Sequence, residues 1–260
     1  MILSDGFHWT TETWGRALRS RALGEVADHF FTTSALRLRG ERTEDDDWAR
    51  VASTIGVSAE RLVRLDQVHG CDVQVVRRGE VAPGSTTGWR RADIIISDDP
   101  DVAVAVQAAD CVPILMADPR TGAVAAVHAG WRGTLASAGP SAVRALGREF
   151  GVRASDLVVA LGPSIGACCY VVGDEVRRAF EDGGFGGSVA CWFSRGDEGR
   201  LRLDLWTANC DLLRAAGIRG EAIHASRLCT SSHPELFASY RRDGKDTGRI
   251  AAVIRASNPS

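Results

Sequence analysis

Between residues 73 and 161, short runs rich in Val and Ile alternate with turn-forming segments. Residues 73–76, 93–96, 102–107, 112–116, 123–127 and 158–161 are short for helices and read as strands. Helical spacing marks residues 140–150, 174–181 and 205–216. In the last of these, Leu205, Ala208, Leu212 and Ala215 or Ala216 share a face, and Gly217 is placed to end the helix. The polar stretch 37–50, carrying Glu41, Glu44, Asp45, Asp46 and Asp47, reads as a solvated loop leading into a helix around 47–55. Residues 79–88 and 183–187 are loops by their Gly, Pro, Ser and Thr content. The second lacks the Lys-Ser/Thr of a phosphate loop and no strand precedes it. Strands mixed with helices and joined by short turns predict an α/β or mixed α+β fold with a mixed sheet. No linker-like shift in composition appears, so residues 1–260 are expected to form a single domain.

Composition narrows the function classes. Of 260 residues, 45% are apolar and 25% charged, which suits a globular protein with a substantial core and excludes a fibrous or disordered chain. Lys and Arg number 31 against 33 Asp and Glu, so there is no cationic field to draw nucleic acid or an acidic membrane, and neither is expected as a partner. The longest apolar stretch, 102–117, is broken by Gln107 and Asp110, short of a membrane span. The first residues, MILSDGFHWTTETW, lack the basic-then-apolar pattern of a signal peptide. Seven scattered cysteines, an odd number, predict free thiols and a reducing compartment, with the cytoplasm as the expected location.

Three segments place polar, metal-capable side chains at strand ends, where a rigid scaffold presents functional groups. They are Leu65-Asp66-Gln67-Val68-His69-Gly70, Ala108-Ala109-Asp110-Cys111-Val112-Pro113 and Val127-His128-Ala129-Gly130-Trp131-Arg132-Gly133-Thr134. Two imidazoles and a thiolate suit Zn²⁺ or copper, and three protein ligands with an open fourth position is the catalytic pattern. The spacings are long, 42 positions from His69 to Cys111 and 17 from there to His128, so the sequence permits convergence without showing it. The same residues equally fit two hydrogen-bonded histidines at the core edge and a small buried thiol.

Asp110, beside Cys111, is placed to orient a ligand, to carry a proton, or to cap a turn. Gly130 and Gly133 flank Trp131-Arg132, where backbone N–H groups and an arginine suit an anion; a tight turn with an exposed arginine fits as well. Cys168-Cys169 is a vicinal pair, a strained geometry for a disulfide, and reads as two packing residues. Arg241, Arg242, Lys245 and Arg249 gather positive charge that can clamp phosphate or carboxylate, or form a solvated basic hairpin.

Taken together, DQVHG, ADCVPI, HAGWRGT, LGPSIGACCYVVGDEV and SYRRDGKDTGR occur in the order found in the YfiH-like proteins, long labelled multicopper polyphenol oxidoreductases or laccase-domain proteins, and the chain resembles that family. The match runs over roughly residues 62–252, with an echo at Phe30-Phe31-Thr32-Thr33; residues 1–28 read as a weakly matched N-terminal extension. The resemblance implies a single α/β domain of layered mixed sheets flanked by helices. It implies zinc held by His69, Cys111 and His128, with copper invoked by the older label. It also implies phosphorolysis of purine nucleosides (adenosine, inosine, S-methyl-5′-thioadenosine) to the base and a pentose 1-phosphate, with adenosine deamination as a second activity. Asp110, Cys111 and His128 are the expected catalytic residues, and Gln67, Arg132, Arg241 and Arg37 the expected contacts to substrate and phosphate. Two departures stand out. Where relatives read Thr-Arg followed by Gly-Gly, this chain has Thr33-Ser34-Ala35-Leu36-Arg37, so either Arg37 or Arg39 supplies the phosphate contact by a register change or the phosphate site is degraded. Ser164 stands where many relatives carry cysteine.

A different class of function uses the same residues: a cysteine hydrolase or amidase editing peptidoglycan precursors, with Cys111 as nucleophile and His128 as base. A phenol-oxidising multicopper enzyme fits less well, because it needs more ligands than six histidines supply. A non-catalytic ligand-binding module is the remaining reading. The chain is expected to act as a monomer or weak homodimer on small molecules.

Overall fold

The computed structural model describes residues 5–38, 45–80, 90–196 and 199–258. Arg39, residues 40–44 and most of the loop at 79–88 lie outside the described residues. In chain order the first half gives strands β1 (Phe7–Glu12) and β2 (Gly15–Ser20), helix α1 (Arg21–Gly24), β3 (His29–Phe31), α2 (Asp45–Ile55), and strands β4 (Leu62–Val63), β5 (Val73–Val76), β6 (Ile94–Ser97), β7 (Ala103–Ala108), β8 (Val112–Ala117) and β9 (Val124–Ala129). The second half gives α3 (Trp131–Leu135), α4 (Ala138–Phe150), β10 (Val158–Leu161), α5 (Asp174–Asp182), α6 (Val189–Trp192), β11 (Phe193–Arg195), β12 (Leu201–Leu203), α7 (Leu205–Ala215), β13 (Ile223–Ala225), α8 (Tyr240–Asp243) and β14 (Ile250–Arg255).

Two six-stranded mixed sheets form the centre. One runs β1-β2-β3-β14-β7-β4 and the other β13-β10-β8-β9-β6-β5; β11 and β12 pair separately. The alternation of side chains along each strand sorts residues into three buried layers. Leu115, Ala117, Val124, Ala126 and Ala160 of the second sheet face Val104, Val106, Ile250, Ala252 and Ile254 of the first. Their neighbours Ile94, Ile96, Val112, Ile114, Met116, Ala125 and Val127 point the other way, against Ala142, Leu146, Leu212 and Leu213 of α4 and α7. On the far side of the first sheet, Ala103, Ala105, Ala251 and Val253 pack with Trp48, Val51 and Ile55 of α2. The fold is therefore a mixed α/β stack, with helices covering both outer faces. Sheets buried on both faces need continuous apolar strands, which is why their Val- and Ile-rich runs are so plain in the sequence.

The helices and central strands match the periodicity within a few residues. Residues 7–20 build β1 and β2, which pair from Phe7↔Ser20 to Glu12↔Gly15 and complete an edge of the first sheet. No helix among the described residues is long and apolar enough to cross a membrane. All seven cysteines are free thiols.

Candidate active site and metal centre

Strand register gathers the site at one end of the second sheet. In the antiparallel β8–β9 pair Val112 faces Ala129 and Pro113 faces His128, so Cys111, one step before β8, meets Gly130, one step beyond β9. In the antiparallel β6–β9 pair Ile94 faces Val127, which brings Asp93 opposite His128, and the His128 N–H donates to the Asp93 carbonyl at 2.8 Å. Parallel pairing of Val73 with Ile94 carries the loop before β5, and with it His69, to the same end. The chain passes from the first sheet to the second between β7 and β8, through Ala109-Asp110-Cys111, so the site lies where the two sheets meet.

His69, Cys111 and His128 converge: their ligand atoms all lie within 4.8 Å of one another. The two imidazole rings stand edge to face, 79° apart, with centroids separated by 4.8 Å. Tetrahedral coordination at usual Zn–N and Zn–S lengths puts neighbouring donors roughly 3.3–3.8 Å apart, so modest side-chain adjustment closes this set around one ion. A Cβ on Gly130 would come within 2.6 Å of Cys111 Sγ and 3.4 Å of His69 Cδ2, so only glycine leaves the donors their space. The residues present fit a catalytic-type metal site of two imidazoles and one thiolate.

The group that organises this set is Asp93, which the sequence reading treated only as the start of a strand. Its side chain is fully buried. One oxygen takes the His128 Nδ1 proton at 2.8 Å and the His69 N–H at 2.9 Å; the other accepts from Val68 N–H at 3.1 Å and Gly70 N–H at 2.7 Å. Three consecutive N–H groups on one carboxylate form a nest, and His69 adopts a left-handed φ of 65° to make it. Burial alone would raise the Asp93 pKa; the His128 hydrogen bond and those N–H groups outweigh it and hold the carboxyl below its usual range. With Nδ1 committed to Asp93, Nε2 is the nitrogen His128 has for a ligand.

Burial likewise opposes charge on Cys111 and His128, but each is held charged by the other. The His128 imidazolium, with hydrogen bonds from both histidines, brings the Cys111 thiol down to about 6. The Cys111 thiolate and the Asp93 hydrogen bond push His128 up to about 9. A thiolate beside imidazoles is the form a metal requires.

The triad opens onto a cavity of about 600 Å³ whose wall includes Gln67, Asp110, Trp131, Arg132, Tyr170, Tyr240, Arg241 and Arg249. Gln67 reaches the cavity, yet its amide is engaged with the backbone of Gln107, donating to the carbonyl and accepting from the N–H, both at 2.7 Å. Asp110, at a φ of 89°, accepts from Thr230 Oγ1 and from the Arg241 N–H, each at 2.6 Å. Both its oxygens are therefore occupied, one holding the loop after β13 and the other the first turn of α8. Arg132 stacks over Trp131 at 4.3 Å, and Arg241 lies over Tyr170 at 5.1 Å while donating to the Val171 carbonyl. Arg37 is exposed and does not line this cavity; its N–H donates to Asp47 of α2. Arg249, which a bridge pairs with Leu38, is on the cavity wall instead. Ser164 is fully buried with no hydrogen-bond partner for its hydroxyl.

The family described as "Multi-copper polyphenol oxidoreductase laccase" matches residues 41–257. The chain belongs to this laccase-like YfiH family. A relative from Deinococcus radiodurans, named "Purine nucleoside phosphorylase", is 37% identical over 248 residues, covering 90% of this chain and 91% of its own. "Adenosine deaminase RL5", from an unknown prokaryotic organism, is 33% identical over 207 residues, 78% of each chain. Among solved structures, YlmD from Geobacillus stearothermophilus superimposes with a TM-score of 0.81 at 31% identity, over 96% of this chain and 99% of that one. The YfiH family thus spans names for an oxidase, a phosphorylase and a deaminase.

Proposed function

We propose that this protein is a zinc-dependent purine nucleoside phosphorylase that also deaminates adenosine. The observation that carries the reading is the union, in one cavity, of a His₂Cys donor set with three arginines and three aromatic rings. A purine offers a flat π surface, and Trp131, Tyr170 and Tyr240 offer faces for it. Phosphate is a multivalent anion, and Arg132, Arg241 and Arg249 offer fork-shaped donors that match its oxygens. A phosphate oxygen attacks C1′ of the ribose, the C1′–N9 bond breaks, and the base leaves with the bonding electrons and takes up a proton. The arginines hold the phosphate while the aromatic wall fixes the base. Asp110 acts as a positioning residue, since both its oxygens are committed to Thr230 and Arg241. When bound by His69, Cys111 and His128, zinc supplies Lewis acidity at the cavity floor.

Adenosine incubated with and without phosphate tests the reading. Ribose 1-phosphate equal to the sum of adenine and hypoxanthine, formed only with phosphate, is expected; inosine alone, at a rate indifferent to phosphate, would leave only the deaminase.

The charged Cys111–His128 pair favours a second reading, a metal-free cysteine hydrolase, because the pair with Asp93 behind it has the order nucleophile, base, orienting carboxylate. Covalent capture of Cys111 by an electrophilic substrate analogue, with activity surviving chelation, would select it.

A further inference from the structure

The turn after β10 and the loop after β13, both hydrogen-bonded to Asp110, bring three more thiols together. Cys168, Cys169 and Cys229 place their sulfurs within 4.8 Å of one another. Cys168 Sγ lies 3.6 Å from Cys169 Sγ, and the Ser232 hydroxyl lies 3.6 Å and 3.2 Å from the two. At a Zn–S length of about 2.3 Å, the sulfurs of a tetrahedral site are about 3.8 Å apart, and a hydroxyl oxygen completing it is about 3.5 Å from each sulfur. The Cys168–Cys169 and Ser232 distances are close to these spacings, and Cys229 Sγ lies within 4.8 Å of the other two sulfurs.

The backbone around the cluster holds it in place. Ser164 pairs with Cys229 in a bridge, the Thr230 N–H donates to the Ser164 carbonyl at 2.9 Å, and the Gly166 N–H donates to Cys229 Sγ at 3.2 Å. The Cys169 N–H closes the turn onto the Gly166 carbonyl at 2.9 Å. A Cβ on Gly166 would lie 2.9 Å from the Trp206 ring and 3.3 Å from Cys168 Sγ, so the turn fits only with glycine there. The Arg242 guanidinium, ion-paired with Asp243, donates to the carbonyls of Thr230 and Ser231 and so holds the loop that carries Cys229 and Ser232. Cys168 is exposed and Cys229 buried, which gives an ion an entrance and a floor.

We propose that Cys168, Cys169 and Cys229, completed by the Ser232 hydroxyl, form a second site for a thiophilic cation of the Zn²⁺ class, separate from the His69–Cys111–His128 centre. Three sulfur donors exclude hard cations such as Mg²⁺ and Ca²⁺. On binding, each thiol releases its proton to solvent as its S–Zn bond forms. A disulfide would use two of the sulfurs and strand the third, and between the adjacent Cys168 and Cys169 it would be strained. The site joins two loops that Asp110 ties to the first centre, one through Thr230 and the other through the Ile165 N–H, so its role is to brace that frame. The proposal does not depend on the nucleoside chemistry.

The test is zinc stoichiometry on the whole protein, reduced, stripped and reloaded, together with the alkylation rate of each cysteine mapped by peptide. Two equivalents are expected in the parent and one in a Cys168→Ala/Cys169→Ser variant, with His69→Ala also retaining one. Zinc should slow alkylation of Cys168, Cys169 and Cys229 in the parent by at least ~10-fold, and in His69→Ala as well. The proposal is overturned by a single equivalent in the parent with those three thiols alkylated at the same rate with or without zinc. A Cys229 disulfide to Cys168 or Cys169 that returns on air exposure despite added zinc would overturn it too. The alkylation map of the unaltered parent decides the matter even if the double variant misfolds.

Discussion

His128 Nδ1 and Asp93 Oδ1 lie 2.8 Å apart, and both groups are buried, with side-chain exposures of 5% and 0%. The same carboxylate accepts three N–H groups from the turn that carries His69. One aspartate thus fixes the ring of one metal-capable histidine and the backbone of the other. Asp93→Asn keeps the shape but removes the charge and forces an N–H₂ against one set of donors. Zinc affinity should fall about 10–100-fold with the fold retained by circular dichroism. Unchanged affinity would mean that Asp93 serves packing alone.

Gly130→Ala isolates the close approach at Cys111. Gly130 has φ −75° and ψ −178°, which alanine adopts freely, so only the added methyl matters. With its Cβ 2.6 Å from Cys111 Sγ, the variant should lose about 1–3 kcal/mol of stability and bind zinc at least ~10-fold more weakly. Urea unfolding and metal titration measure the two effects, and a variant equal to the parent in both would refute the packing argument.

Phosphate recognition separates the arginines. Arg241→Ala and Arg249→Ala should each raise the KM for phosphate by about 10-fold or more, the loss of a charge-assisted hydrogen bond, and raise the KM for nucleoside less. Arg37→Ala should leave both constants unchanged, since Arg37 is off the cavity wall. Steady-state kinetics in both substrates checks this, and a larger effect at Arg37 than at Arg249 would return the phosphate site to the segment after Thr33.

His29 sets a pH dependence of stability. Its Nε2 accepts from the Ser20 N–H at 2.9 Å and its Nδ1 lies 3.1 Å from the Ala27 carbonyl, a pairing that needs the neutral ring. Burial is the main cause that holds its pKa down to about 4. In the unfolded chain a histidine titrates near ~6.5. From that pH down to about 4 the unfolded state binds a proton that the folded state refuses, so stability falls as pH falls, by about 1.4 kcal/mol per unit and roughly 3 kcal/mol in all. Urea midpoints at several pH values should show this slope in the parent and a shallower one in His29→Gln; equal slopes would contradict it.

The parts legible in the sequence are those where one residue type repeats under one constraint. Ile94–Ser97 and Val112–Ala117 are buried on both faces, so their apolar runs stand out. Phe7–Glu12 and Gly15–Ser20 escaped notice because an edge pair half open to solvent tolerates Thr and Arg. Ile250–Arg255 has the apolar character of a central strand, but it follows a basic stretch that drew attention to charge instead. His69, Cys111 and His128 were each visible as chemistry; their meeting was not, because it depends on the register of β6, β8 and β9. Asp93 gave no signal at all: its partners are 23 to 35 positions away in the chain, and only folding brings a carboxylate to them. Arg37 lies off the cavity wall because position in a motif does not fix which way a loop turns; Arg249, the residue before β14, lies on that wall.

The most direct test of the account is a zinc titration of stripped protein carrying Cys168→Ala and Cys169→Ser, so that only the first centre remains, with phosphorolysis of adenosine followed at each addition. Activity should rise in proportion to bound zinc and level off at about one equivalent, the number a three-ligand site takes. Full activity in the stripped protein, unmoved by added zinc, would contradict it.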